Sequence, residues 1–297
     1  MTSEIFDIDH LMISVRNTDL AMDVFCRMGF SITPRGVLEG MNNRLICFEG
    51  RQAGTNGKEG KNGHGEAVCV PNFVEFMSLD DPEKAPPPMV RALENPDRPV
   101  LLVAATRNAV NTQKSLQDLG FEVFPVIDTG REWKLPDGRV LDLTFSIVLP
   151  APGQAPFNWI ACQHKTPHHY LRSDFITHAN GAVALKNVIG VARDPGQASR
   201  HYRQGWNARV SGENPTVVAR GDVELHIYDQ KGFGSAFAAI TPPAGQSNLA
   251  GFTVLVRDLA SLEQRLESSG FAPLRHGDRI IVPPSKACGS LVVFEAA

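Results

Sequence analysis

Two apolar, strand-like runs in this 297-residue sequence each carry a side chain able to bind a metal or move a proton. In IDHLMISV (8–15) that side chain is His10, and in NFVEFMSL (72–79) it is Glu75. Strand alternation puts Leu11, Ile13 and Val15 on one face of the first run and His10 with Ile8, Met12 and Ser14 on the other. Glu75 likewise shares a face with Phe73 and Met77, against Val74 and Phe76. The purely apolar faces call for helices over them, which leaves the mixed faces to line a cavity. Imidazole and carboxylate suit zinc, manganese or ferrous iron, and both can act as general bases. The structural alternative is a polar pair held inside a cavity by hydrogen bonds alone. A later run, FNWIACQH (157–164), adds Cys162 and His164 on one face. His168 and His169 follow, but Pro167 interrupts helical spacing, so a loop position suits them better.

Several chemistries are excluded. The five cysteines are widely spaced with no CxxC pair, which argues against a zinc ribbon or a disulfide framework. The net charge is −3 and the basic residues are spread along the chain, so no nucleic-acid surface is expected. G-x-G-x-x-G is absent. The Gly-rich insert at 50–65 holds Gly60-Lys61 without the spacing of a phosphate loop, and reads as a loop rather than a nucleotide site. No nucleotide cofactor is therefore expected. The start, MTSEIFDIDHLMISV, has neither a signal peptide pattern nor a membrane span, so a cytoplasmic protein without membrane contact is the expectation.

The elements that must position these residues recur. A β-rich run, an arginine, a helical stretch and a glycine followed by an aromatic appear at 8–30, 99–121, 185–206 and 250–271. From arginine to glycine the spacing is 13, 13, 12 and 13 residues, a register hard to obtain by chance. Helices are predicted near 18–29, 109–119, 195–204 and 259–269, the first capped by Asp19. Short β-rich segments follow each helix: 31–34, 44–48 and 73–79; 122–127, 140–148 and 157–163; 208–210, 216–219 and 223–228; 273–276, 279–282 and 290–294. The unit is thus βαβββ, written four times, in an α+β chain. The modules span about 5–79, 98–164, 182–229 and 247–297. Proline-rich stretches at 80–88, around Pro167 and at 241–246 separate them.

This unit, with its Arg-Asn or Arg-Asp start and Gly-Phe stop, resembles the vicinal oxygen chelate (VOC) superfamily, and the N-terminal stretch resembles its glyoxalase-like domain. The likeness rests on IDHLMISV, GMNNRLICFE (40–49), NFVEFMSL, CQHKTPHHYLRSDFITHANGA (162–182) and VPPSKACGSLVVFE (282–295). It implies two glyoxalase-like domains, 1–180 and 181–297, each closing two modules into a cup. It also implies a divalent metal (zinc, manganese, iron or nickel) held by first- and last-strand side chains. On this chain those are His10 and Glu75, with His164 able to complete a His/Glu/His set and Glu75 also serving as proton acceptor. Asn43, Arg44, Arg131 and His178 are the expected substrate-binding residues, since arginine can grip a carboxylate through two parallel hydrogen bonds. Asp142 is a further candidate base. Leu101, Asn187 and Gly251 occupy the positions matching His10 in the other modules, so the N-terminal half should hold the principal site. The implied function is metal-dependent lyase or isomerase chemistry on a small oxygenated metabolite. Ring-cleaving dioxygenase chemistry and metal-free ligand sequestration are the alternatives. The expected partners are a small-molecule substrate and, as the assembly to test, a homodimer.

Overall fold

The computed structural model describes residues 4–49, 71–237 and 240–297, so the insert at 50–65 lies outside the described residues. All four repeats fold as strand, helix and three strands. The first comprises β1 (Ile5–Ser14), α1 (Thr18–Arg27), β2 (Gly36–Leu38), β3 (Met41–Cys47) and β4 (Phe73–Leu79). A helix, α2 (Pro87–Leu93), leads to β5 (Arg98–Thr106), α3 (Ala109–Asp118), β6 (Ile127–Lys134), β7 (Val140–Val148) and β8 (Trp159–His164). After a short turn at Pro167–His169 and α4 (Ser173–Ile176) come β9 (Ala182–Ala192), α5 (Pro195–Gly205), β10 (Arg209–Ser211), β11 (Thr216–Ala219) and β12 (Glu224–Tyr228). Helix α6 (Gln230–Ala236) precedes β13 (Ser247–Val256), α7 (Leu259–Ser268), β14 (Leu274–His276), β15 (Arg279–Val282) and β16 (Leu291–Ala296).

Local chemistry explains the repeated register. The side chains of Asn17, Asn108, Asp194 and Asp258 accept hydrogen bonds from first-turn amides of α1, α3, α5 and α7. The cap of α1 is thus Asn17 and not the expected Asp19, which sits in the first turn and pairs with Arg44. Gly29 and Gly120 leave their helices at φ +94° and +87°, a region costly for residues with a Cβ. In the third repeat Gly205 is still helical and Asn207 takes the left-handed turn at φ 53°, which accounts for the shorter interval there.

Three expected segments shift. The strand placed at 31–34 begins instead at Gly36, and the one placed at 122–127 begins at Ile127. The proline-rich stretch at 80–88 contains the start of α2, because Pro87 and Pro88 occupy first-turn positions where no amide is required.

Strands β1 to β8 close into a barrel in the order β1-β4-β3-β2-β6-β7-β8-β5, and β9 to β16 form an open sheet in the order β10-β11-β12-β9-β13-β16-β15-β14. Neither is a doubly wound parallel sheet, because only the first and last strands of each unit run parallel. Helix-side residues of both halves, including Ile13, Phe76, Leu185 and Phe294, merge into one apolar core. The barrel interior holds two smaller clusters. Met12, Met77, Leu101 and Val103 pack with Leu93 of α2, while Cys47, Phe73 and Trp133 pack with Tyr170 and Phe175 of the 167–176 segment.

Candidate metal centre

Strand β1 does not alternate cleanly. Its pairing with β5 slips between Ile8 and His10, so Ile8 joins Leu11 and Ile13 in the helix-side core. The expected grouping of Ile8 with His10 therefore fails, and Asp9 and His10 both reach the barrel's polar cluster. His10 Nδ1 lies 2.7 Å from Asp9 Oδ1, and its Nε2 lies 3.3 Å from Glu75 Oε2 on β4. The imidazole stacks on Phe73 at 4.0 Å, which fixes its plane. Asn43 on β3 donates from Nδ2 to Glu75 Oε1. From β8, His164 Nε2 sits 3.0 Å from Asp9 Oδ2 and 3.6 Å from Cys162 Sγ. One ligand atom each from Asp9, His10 and His164 can be chosen so that all lie within 4.8 Å of one another. Among the described residues this is the one such group of three His, Cys, Asp or Glu side chains.

The cluster is electrostatically coupled. Burial opposes the charge on Asp9, but His164 and His10 outweigh it and hold the carboxyl down at about 2. Burial likewise opposes protonation of His164, yet Asp9 beside it lifts the imidazole to about 10. His10 is raised against burial by Asp9 and Glu75, and Glu75 is lowered against burial by His10 and Arg131. Imidazolium–carboxylate pairs of this kind neutralise each other, and a divalent cation can take the place of the two protons.

The donor set fits such a cation. It offers two imidazoles and two carboxylates from β1, β4 and β8, all oxygen or nitrogen and nearly inaccessible to solvent. Buried Asp9 Oδ2 and His164 Nδ1 also lack a well-formed hydrogen bond. The expected set of His10, Glu75 and His164 is thus brought into one interior. Asp9 joins them, and Glu75 reaches the closest group through His10 rather than directly.

The other expected residues divide. Arg131 on β6 is buried, with its guanidinium 5.4 Å from the Phe145 ring centre and 5.8 Å from that of Trp133. Asn43 and Arg131 approach each other over Gly36, where a Cβ would lie 2.3 Å from Asn43 Oδ1 and 2.8 Å from Arg131 Cδ. Arg44 does not join them: it follows Asn43 on the strand, points to the opposite face, and bonds Asp19 and the Thr33 carbonyl. His178 is also elsewhere. Its Nδ1 accepts from the Ser31 amide and its Nε2 donates to the Cys47 carbonyl, so it ties backbone segments together. Asp142 is exposed on β7, and His168 and His169 lie in the Pro167–His169 turn. Sequence reasoning missed Asp9, Tyr170 and Trp133. An acidic residue inside an apolar run was a usable signal for Asp9, but alternation assigned it to the outer face.

In the C-terminal half, Asn187 and Thr253 hydrogen-bond to each other across β9 and β13, and Glu224 pairs with His226. A cavity of about 650 Å³ lies there beside Asn214, Tyr228, Lys231 and Arg279, away from the cluster in the barrel.

A family model for the glyoxalase-like domain matches residues 8–206. No curated protein matches the chain by sequence. Among solved structures, a hypothetical protein from Staphylococcus aureus is similar at 12% identity and a TM-score of 0.62, over 99% of this chain and 100% of that one. A xylose isomerase-like TIM barrel/4-hydroxyphenylpyruvate dioxygenase fusion protein shares 10% identity with a TM-score of 0.56, over 100% of this chain and 50% of that one. A mutant 4-hydroxymandelate synthase from Streptomyces coelicolor shares 11% identity with a TM-score of 0.54, over 99% and 94% of the two chains. At these identities the likeness concerns the fold.

Proposed function

Because the chain belongs to the glyoxalase-like domain family, we propose that it is a divalent-metal-dependent enzyme acting on a small oxygenated metabolite by lyase or isomerase chemistry. The observation that carries this reading is the convergence of Asp9, His10, Glu75 and His164 inside one closed barrel. His10, Asp9 and His164 would hold the ion, and Glu75 would complete the set or act as proton acceptor. When bound, such an ion supplies Lewis-acid polarisation of a carbonyl oxygen. The remaining work falls to the chain. Glu75 is held by Asn43 on one oxygen and faces His10 with the other, so its basic atom is oriented before substrate arrives. Phe73 and Phe145 flank the cluster and exclude water, which strengthens every charge interaction there. A second reading, oxygen-dependent chemistry, is favoured by the His10, His164 and carboxylate donors, a combination that leaves positions open on ferrous iron.

The test is metal analysis of untagged protein after loading with zinc, manganese or ferrous iron. About one ion per chain is expected, falling sharply in His10→Ala and Glu75→Ala variants that retain the native melting profile. Metal content near zero in the parent protein would overturn the reading in favour of metal-free ligand binding. Oxygen uptake by iron-loaded protein alone would select the second reading.

A further inference from the structure

The C-terminal sheet repeats the backbone of the barrel's ligand-bearing strand with the charge reversed. In β1 the pairing with β5 passes from Ile8 opposite Ala104 to His10 opposite Val103, and the skipped residue is Asp9. In β9 the pairing with β13 passes from Leu185 opposite Val254 to Asn187 opposite Thr253, and the skipped residue is Lys186. Leu185 and Val188 lie in the helix-side core as Ile8 and Leu11 do, so Lys186 and Asn187 stand where Asp9 and His10 stand. His226 takes the place of Glu75, because Ile189 pairs with it as Met12 pairs with Glu75. A cation thus replaces the central acid of the barrel cluster. Among the described residues no group of three His, Cys, Asp or Glu ligands forms in this half.

The second sheet holds spare positive charge instead. Glu295 on β16 pairs with Lys186 and lies 2.9 Å from Arg279 Nε, one carboxylate between two cations. Glu224 is turned to His226 at 2.7 Å. Arg279 and Tyr228 line both the outer cavity of about 650 Å³ and a narrow recess beneath it beside Asn187, so they stand where the two meet. Neither the Arg279 Nη atoms nor Tyr228 Oη hydrogen-bonds a described residue, and Lys231 Nζ on the cavity wall has no partner among them. The acid on that wall, Asp229, is already engaged: its Oδ1 accepts from the Gly232 amide at 2.6 Å and from Asn214 Nδ2 at 2.8 Å. Those bonds tie the loop before β11 to α6 and hold the cavity open in advance of any ligand.

We propose that this cavity is a second, metal-independent binding site, and that it takes a small organic phosphate monoester with the phosphate on Arg279, Lys231 and Tyr228. Two Nη groups, an ammonium and a phenolic hydroxyl bring donors from three side chains. That number suits the three free oxygens of a phosphate better than the two of a carboxylate. Pro215, Ala236 and the Tyr228 ring give the carbon skeleton an apolar wall. The site stands apart from the barrel's chemistry and does not depend on it.

Calorimetry with inorganic phosphate, glycerol 3-phosphate and glycerate on the full chain, chelator-treated and manganese-loaded, tests this. Both phosphates should bind with a Kd of about 1 mM or tighter and equally in the two states, and glycerate at least about tenfold more weakly. Arg279→Met should weaken both phosphates by about tenfold or more, with Arg279→Lys intermediate because it keeps charge without the fork. Since Arg279 also faces Glu295, Lys231→Met is the second variant: its side chain is exposed and unpaired, so the fold does not depend on it. It should weaken both phosphates severalfold with an unchanged melting profile. No binding of either phosphate at millimolar concentration, or glycerate binding as tightly as glycerol 3-phosphate, would overturn the proposal. So would phosphate binding that needs manganese, which belongs to the barrel, or affinity left unchanged in both Arg279→Met and Lys231→Met.

Discussion

Glu75 and His10 show what single residues disclose and what they hide. A carboxylate or imidazole in an otherwise apolar strand must face something polar, so both were legible from alternation alone. Asp9 was not, because a slip of one residue in the β1–β5 pairing inverts the face of whatever precedes it. Arg44 failed for the opposite reason: strand alternation, applied strictly, already separates it from Asn43. Tyr170 lies in a turn whose approach to the barrel no local pattern encodes. At this scale the most exposed dependency is Gly36. An alanine there would place its Cβ against Asn43 Oδ1 and Arg131 Cδ, and both side chains would have to move. Gly36→Ala should cost about 1–3 kcal/mol in urea unfolding, the range of overpacking. It should also loosen the Asn43–Glu75 bond, seen as weaker manganese uptake than in the parent protein.

Elements were legible wherever a cap and a stop bracket an apolar stripe. The four long helices lie where the arginine-to-glycine register put them, since Asn or Asp side chains satisfy the first amides and glycine or asparagine takes the left-handed exit. The short elements were not. Helix α2 hides in a proline-rich stretch that reads as linker, α6 has no repeat to mark it, and β2 follows Pro34, whose missing amide keeps it out of a ladder. Asn17 offers the clean measurement, because its Oδ1 accepts from the amides of Asp19 at 2.7 Å and Leu20 at 3.1 Å. Asn17→Ala should lower stability by about 1 kcal/mol by thermal or urea melting, and Asn17→Asp should restore most of it. Equal melting of Asn17→Ala and the parent protein would show that tertiary contacts hold the start of α1 without the cap.

Across the whole molecule, buried titratable groups stitch distant modules together and give stability two opposed pH trends. Burial holds His178 at about 4 while its two ring nitrogens bond the backbone of Ser31 and Cys47. The unfolded chain binds that proton from about pH 6.5 downward, so this contribution is complete above pH 6.5 and is lost as pH falls toward 4. His178→Gln should therefore flatten the acid side of the urea-midpoint profile between pH 7 and pH 4.5. Asp7, whose Oδ1 accepts from the Val223 amide in the third module, is pushed up to about 7 by burial. Its folded value exceeds its unfolded one, so that contribution is complete below about pH 4 and is lost as pH rises through 7. Asp7→Asn should be more stable than the parent protein at pH 8, by on the order of 4 kcal/mol at most, and about equal to it at pH 4. The fourfold repeat made the pairing of modules legible. The contact between Asp7 and the loop before β12 was not, because it joins residues more than two hundred positions apart.

The two sheets also differ in what they offer to other chains. A closed barrel has no free strand, whereas the open sheet ends in β10 and β14. Each of those ends is three residues long, and they carry Arg209 on one side and Arg275 with His276 on the other. Short, cationic borders make poor templates for a neighbouring molecule's backbone. Should this protein clump when partly unfolded, the failure would start by opening the barrel, where the long strands β1 and β5 would lose their partners, and not at the existing margins of the second sheet.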